Sequence, residues 1–244
     1  MSRQRAAKAH RHMNPVENTI SFNQALPKIS SRRVDLIPRT RNQERLVLAL
    51  QDKAQHIVVT VGPAGTGKTY LAMLAAVKAL KEGDCKRIVL TRPAVGVEGE
   101  QHGFLPGNLV AKMEPWTRPL LDVLREYYRP QEIAGMIEDQ VIEIAPLAFM
   151  RGRTFKNSWI IADEMQNATP AQTKMLMTRI GVHSKIVITG DIEQADRSCG
   201  DNGLLDLCQR LGEGGVNGIA LCELSARDIQ RHEIIGSVLK LYTD

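Results

Sequence analysis

Six short apolar runs punctuate the chain: HIVVTV (56–61), RIVLT (87–91), VIEIA (141–145), SWIIAD (158–163), KIVITG (185–190) and GIALCEL (218–224). They are rich in β-branched residues and nearly continuous rather than alternating, which predicts parallel strands buried on both faces. Segments of helical period lie between most of them. NQERLVLALQDK (42–53) reads as an amphipathic helix. GKTYLAMLAAVKALKEG (67–83) is small or apolar almost throughout and stops on Gly83. TPAQTKMLMTRIG (169–181) opens with Thr169 as N-cap and Pro170 at the first helical position, and Gly181 reads as its stop. GLLDLCQRLGEGG (203–215) and RDIQRHEIIGSVLKLY (227–242) predict two more helices. Strands alternating with helices predict an α/β fold with an open parallel sheet flanked by helices.

The pattern fails in two places. Residues 1–31 are polar and basic without periodicity, and read as a flexible arm. Residues 93–140 separate the second strand from the third, and begin in the Gly/Pro-rich stretch RPAVGVEGEQHGFLPG (92–107). A connection that long in a compact domain is usually functional. Charge follows the first break. Residues 1–45 hold ten Lys/Arg against three Asp/Glu, a surplus of +7, and the remaining 199 residues hold 22 against 24. The arm is therefore the basic part and can lie along a phosphate backbone, whereas the body is near neutral. Cys85, Cys199, Cys208 and Cys222 form no CxxC pair, and no His cluster completes a metal site. Reduced thiols, no apolar signal core and no membrane-length apolar run predict a cytoplasmic protein.

The stretch GPAGTGKT (62–69) matches GxxxxGK[ST] in full, after a predicted strand and at the opening of a predicted helix. Gly62, Pro63, Ala64, Gly65, Thr66 and Gly67 form a loop whose backbone N–H groups can curl around phosphate oxygens. The following helix terminus adds a favourable dipole. Lys68 brings a positive charge to the β- and γ-phosphates, Thr69 offers a hydroxyl to Mg²⁺, and Tyr70 completes the run of nucleotide-binding candidates.

The chemistry of such a site needs a carboxylate delivered from a second strand. WIIAD supplies it: an apolar strand runs into Asp163, a candidate for holding Mg²⁺ through water. Glu164 follows directly and can orient or deprotonate an attacking water. A third segment, KIVITGDIEQAD (185–196), ends a strand in Thr189-Gly190-Asp191, with Gln194 close behind. On a strand lying between the two nucleotide strands, Gln194 could report the γ-phosphate to a loop. Gln166 and Asn167 are left open, lining the γ-phosphate side or capping the turn.

In this order, the three motifs resemble the first motor domain of superfamily 1 helicases, and more closely the PhoH-like ATPase family. IAPLAFMRGRTFKNSWIIADEMQN (144–167), TRPAVGVEGEQHGFLPGNL (91–109) and DIQRHEIIGSVL (228–239) are similar to that family's blocks, and the resemblance covers roughly residues 36–243. It implies a P-loop NTPase with a RecA-like sheet over residues 32–244, binding ATP and Mg²⁺. It also implies an ATP hydrolase acting on RNA or single-stranded DNA in a helicase-like role. An ATP-dependent assembly or regulatory switch without a nucleic acid is the alternative. By the same resemblance Gln43 reads the adenine edge, and Arg92, His102 and Lys112 reach a nucleic-acid backbone. Met165 stands where the family usually has Ala, and Glu233 where it usually has Pro. A helicase has a second motor domain that supplies an arginine to the γ-phosphate; 244 residues hold one. Arg151, Arg153 and Arg231 are candidates for supplying it in trans, within a homo-oligomer such as a ring.

Overall fold

Each predicted apolar run becomes a strand. They are β1 (Ile57–Val61), β2 (Arg87–Thr91), β3 (Ile142–Ile144), β4 (Ser158–Ala162), β5 (Lys185–Gly190) and β6 (Ile219–Glu223). The computed structural model describes residues 32–93, 118–195 and 202–230. The six strands form one sheet in the order β3-β2-β4-β5-β1-β6, and every pair is parallel. This is the RecA-like open parallel sheet that the resemblance implies. VIEIA shortens to three residues on an edge strand, and SWIIAD ends at Ala162, so Asp163 stands just beyond the ladder.

Both faces are covered because successive side chains leave a strand on opposite sides. Val58, Ile88, Ile161 and Val187 enter one core with α1 (Arg41–Gln51), α2 (Lys68–Glu82), α3 (118–125) and α4 (Pro130–Glu138). Val59, Val89, Ile160, Ile186 and Ile188 enter the other with α5 (Pro170–Met177) and α6 (Gly203–Glu213). α1 is capped by the Thr40 hydroxyl, which accepts from the Gln43 amide. α2 ends on left-handed Gly83, whose N–H closes on the Ala79 and Leu80 carbonyls. Thr169 and Gln172 form a capping box on α5, with Pro170 at its start.

α5 is shorter than its sequence pattern predicts, ending at Met177 rather than near Gly181. The chain has already turned to bridge Ile180 to Phe155. A Cβ on Gly181 would lie 2.4 Å from the Phe155 carbonyl oxygen, so this glycine permits a close approach rather than ending a helix. The predicted helix at 227–242 contributes a short 3₁₀ turn, Ala226–Asp228, and residues 231–242 lie outside the described residues, as does the arm 1–31. Cys85, Cys208 and Cys222 are free thiols, and Cys199 lies outside the described residues. No helix among the described residues is long and apolar enough to cross a membrane.

The parallel register decides where chemistry can sit. Val61 pairs with Gly190, and Ala162 with Ile188, so the carboxyl ends of β1, β5 and β4 emerge side by side. A cleft of about 1010 Å³ opens at the opposite edge, lined by Leu36, His56, Trp159, His183, Lys185 and Asn217 among others. None of the phosphate-loop residues lines it. Its buried cation, Lys185, has a structural role. Its ammonium donates to the Leu50 carbonyl at 2.6 Å and the Asp52 carbonyl at 2.8 Å, at the end of α1, and lies 5.3 Å from the Trp159 ring. These carbonyls lack partners within the helix, so the lysine caps α1 and ties it to β5.

Burial pushes the Lys185 ammonium down to about 8 from its ordinary 10.5, with Asp52 and Asp84 opposing the shift. A base with a lowered folded pKa stays protonated longer in the unfolded chain, so its contribution to stability grows as pH rises from about 8 to about 10.5. Lys185→Met is expected to cost roughly 2–4 kcal/mol at neutral pH by leaving the Leu50 carbonyl unpaired and the Asp52 carbonyl with the Gln55 amide alone. The gap in melting temperature between wild type and variant should widen between pH 8 and pH 10. Calorimetry of both proteins across that range checks it; a constant or narrowing gap contradicts the lowered pKa of Lys185.

Candidate nucleotide site

The loop between β1 and α2 is held by its carbonyls. The Thr66 carbonyl accepts from the Gln43 side chain at 2.9 Å, the Gly65 carbonyl from the Gln230 amide at 2.9 Å, and the Pro63 carbonyl from the Thr66 hydroxyl at 2.8 Å. Gly62 has φ +145°, and a Cβ there would lie 2.2 Å from the Leu224 carbonyl oxygen. Only glycine allows β6's exit to pass so close. Gly65 and Gly67 are left-handed, which curls the chain into α2. The first bond within α2 runs from the Leu71 amide to the Gly67 carbonyl, so earlier amides of the first turn have no intrahelical acceptor. Such a terminus attracts anions. Lys68 is buried, and its ammonium donates to the Gly62 carbonyl at 2.5 Å and the Pro63 carbonyl at 2.8 Å, inside the curl of the loop.

Asp163 emerges from β4 two strands away, beyond β5. Its amide donates to the Thr91 carbonyl at 3.0 Å, which fixes it against β2. Its Oδ1 accepts from the Thr69 hydroxyl at 2.8 Å and from the Thr189 hydroxyl at 2.5 Å. The Thr69 hydroxyl and the Asp163 carboxylate thus stand together at the mouth of the loop, and Mg²⁺ takes oxygen ligands and retained waters of this kind, so the pair fits the ion.

Glu164 is left-handed at φ +55°, which breaks the alternation of side chains that follows a strand. Its Oε2 accepts from the Gln166 amide nitrogen at 2.5 Å, and its Oε1 lies 3.6 Å from the Arg92 guanidinium. Gln166 is 2 % exposed, and its Oε1 accepts from the Asp191 amide at 3.1 Å. Met165, the departure from the family's usual Ala, is fully buried in the second core.

The other sequence candidates fall into three groups. Gln43 is buried at the loop, donating to Thr66 and accepting from the Arg39 amide at 2.8 Å; each end of its amide keeps one further donor or lone pair. Tyr70 is partly exposed, with its hydroxyl on Glu126. Gln194 is exposed on the 3₁₀ turn Ile192–Gln194 after β5, and the amide that joins this turn to the carboxylates is that of Gln166. Arg153 is tied within the chain: its guanidinium grips both oxygens of Glu143 on edge strand β3, at 2.5 and 2.9 Å, and stacks on Phe155. That fixed pairing differs from the free arginine expected of a donor in trans. Arg151 is exposed, and Arg231, His102 and Lys112 lie outside the described residues.

Two features were missed by the sequence reading. Thr189 lies in a segment singled out for Gln194, and its β-branched hydroxyl one residue before a glycine was the available signal. The other is Asp228, buried, whose Oδ2 accepts from the Asn42 side chain at 2.9 Å and the Ser225 amide at 2.7 Å. Burial alone would raise its carboxyl, but the hydrogen bonds from Asn42, Ser225 and Thr40 hold it at about 2. It anchors the chain leaving β6 to the start of α1, next to the phosphate loop.

The PhoH-like protein family matches residues 35–243. A PhoH-like protein of Synechocystis sp. is 43% identical over 223 residues, covering 90% of this chain and 67% of its own length. One of Bacillus subtilis is 45% identical over 204 residues, with 84% and 63% covered. Protein PhoH of Escherichia coli is 38% identical over 182 residues, with 73% and 51% covered. The chain thus spans between half and two thirds of these curated relatives. Among solved structures, the Pyrococcus furiosus Hef helicase domain superposes with a TM-score of 0.44 at 12% identity, over 81% of this chain and 39% of that one. A match that runs almost from the first described residue to the end of the chain, with relatives above two fifths identity, establishes that the chain belongs to the PhoH-like protein family.

Proposed function

We propose that the chain binds ATP with Mg²⁺ and hydrolyses it, and that hydrolysis serves work on RNA or single-stranded DNA. The observation that carries the reading is the meeting of Thr69 from the phosphate loop with Asp163 from β4 at 2.8 Å, with Glu164 the next residue. Lys68 and the amides at the start of α2 would hold the phosphates. Thr69 and Asp163 would hold the Mg²⁺, which when bound neutralises phosphate charge. Glu164 would accept a proton from the water as its oxygen bonds the γ-phosphorus and the bridging oxygen leaves with ADP. A neutral amide cannot take that proton. A small-molecule kinase would instead need to exclude water and seat an acceptor hydroxyl; a carboxylate beside the metal ligand suits water better.

The nucleic-acid part rests on the family resemblance, on the +7 surplus of residues 1–45 and on Arg92 at the carboxyl edge of the sheet. The homo-oligomer rests on the helicase resemblance, in which an arginine from outside the first motor domain reaches the γ-phosphate. Since Arg153 is engaged by Glu143, Arg151 and Arg231 are the better candidates for acting in trans.

Glu164→Gln is expected to keep ATP affinity within about twofold and to lose about 10²–10⁴ in turnover. Equilibrium titration with a fluorescent ATP analogue and steady-state phosphate release measure the two. Wild-type turnover in this variant would remove Glu164 from the chemistry. Single-stranded RNA or DNA should raise wild-type turnover, with a stimulation that falls steeply as salt rises. ATPase unchanged by either polymer at low salt favours the alternative, an ATP-dependent assembly switch. If an arginine acts in trans, specific activity should rise with protein concentration over the range where light scattering records assembly. A monomer with concentration-independent specific activity contradicts it.

A further inference from the structure

Gln166 is a buried polar side chain that the proposed chemistry leaves without a task. Both ends of its amide are engaged: the nitrogen on Glu164 Oε2 at 2.5 Å, the oxygen on the Asp191 amide at 3.1 Å. Asp191 begins the turn after β5 and caps it, its Oδ1 accepting from the Glu193 amide at 3.1 Å. Gln166 therefore spans from the carboxylate after β4 to the loop after β5. Gly190 makes room for it. A Cβ at 190 would sit 2.6 Å from the Gln166 side-chain oxygen and 2.4 Å from Leu204.

A buried amide that merely satisfies a stray backbone donor is common. Three observations point beyond that here. The reach of Gln166 is fixed, because Met165 before it is fully buried and the Ala168 amide closes the turn on the Met165 carbonyl at 3.0 Å. Its donor goes to the carboxylate of Glu164, itself held left-handed at φ +55°, a conformation costly for a side-chain-bearing residue. The other oxygen of that carboxylate faces Arg92 at 3.6 Å, a looser contact, so the 2.5 Å bond sets its direction.

We infer that Gln166 is a positioning residue, which aims the Glu164 carboxylate and couples that aim to the turn Asp191–Gln194. The inference rests on the hydrolytic reading of Glu164 given above. The coupled turn is exposed at Glu193 and Gln194, so a partner touching it would shift the Asp191 amide, then Gln166, then the carboxylate. Gln194 enters as the exposed end of this path.

The test is a double-mutant cycle of Gln166→Met with Glu164→Gln, read by single-turnover hydrolysis of labelled ATP and by fluorescent-analogue binding. Met matches the length of Gln and removes both hydrogen bonds. Gln166→Met alone should lower turnover by about 10–100-fold, since small misplacements of a reacting group are that costly. Its nucleotide affinity should stay within about twofold. In the Glu164→Gln background the same substitution should change turnover less than about twofold, because the group it positions is already disabled. A purely structural role would weaken binding and turnover together and give the same loss in both backgrounds. That result, or unchanged turnover in Gln166→Met, overturns the inference. Gln166→Glu keeps an acceptor for Asp191 but sets a carboxylate against Glu164; it should lose turnover at least as strongly, and serves where the Met variant does not fold. Wild-type turnover in Glu164→Gln would remove Glu164 from the chemistry, and this inference with it; no turnover in the wild type would overturn the hydrolytic reading itself. Loss in Glu164→Gln with full turnover in Gln166→Met overturns only the role of Gln166.

Discussion

One carboxylate oxygen is the meeting point of this fold. Asp163 Oδ1 receives a hydroxyl from Thr69 at the start of α2 and another from Thr189 near the end of β5, while the backbone of Asp163 is pinned to β2. A nearly buried carboxylate is costly unless donors surround it. Here they arrive from separate elements, so the carboxylate joins α2, β5 and β2 at one point. The strand order makes this possible. β5 lies between β1 and β4, close enough to supply Thr189, and the parallel arrangement puts all three carboxyl ends on one edge. The central pairing of the sheet and the geometry of the site are the same fact seen at two scales.

The phosphate loop depends on that frame in a second way. Its carbonyls are held from outside by Gln43, Gln230 and its own Thr66, and Gly62 tolerates the Leu224 carbonyl only because it has no Cβ. α1 supplies part of this support and is itself fixed at both ends. Gln43 and Asn42 near its beginning bond to the loop and to Asp228, while Lys185 caps its end from β5. A loop held this way pays less ordering entropy when a ligand arrives. α1 is thus joined to the phosphate loop at its beginning and to β5 at its end.

The parts of this structure that were legible in the sequence share a physical origin. Strands show themselves because burial on both faces demands continuous apolar runs, and β1, β2, β4 and β5 appear almost at their predicted bounds. GPAGTGKT is readable because backbone conformation, helix terminus and charge must lie within eight consecutive residues. What was not legible is set by contacts across the sheet. Gln166 meets Asp191 because β4 lies beside β5, and Arg153 folds back from the β3–β4 connection onto Glu143; local spacing encodes neither contact. The end of α5 was misplaced because Gly181 is also what a helix stop looks like; its actual constraint is the Phe155 carbonyl, from a remote segment.

The opposite surroundings of Asp163 and Glu164 explain how neighbouring carboxylates can differ in task. Were both extended at the end of β4, they would point to opposite faces and only one could serve the site. The left-handed turn at Glu164 breaks that alternation and keeps its carboxylate at the same edge. Their donors then separate them. Asp163 is bound by hydroxyls, which can turn their protons away and present oxygens to a cation alongside it. Glu164 is bound by the NH₂ of Gln166, whose oxygen is taken by the Asp191 amide, and faces a guanidinium, which only donates, and it is the more exposed of the two. A metal-holding role thus fits the first position and a water-facing role the second, and exchanging the two would place each carboxylate among donors of the wrong kind.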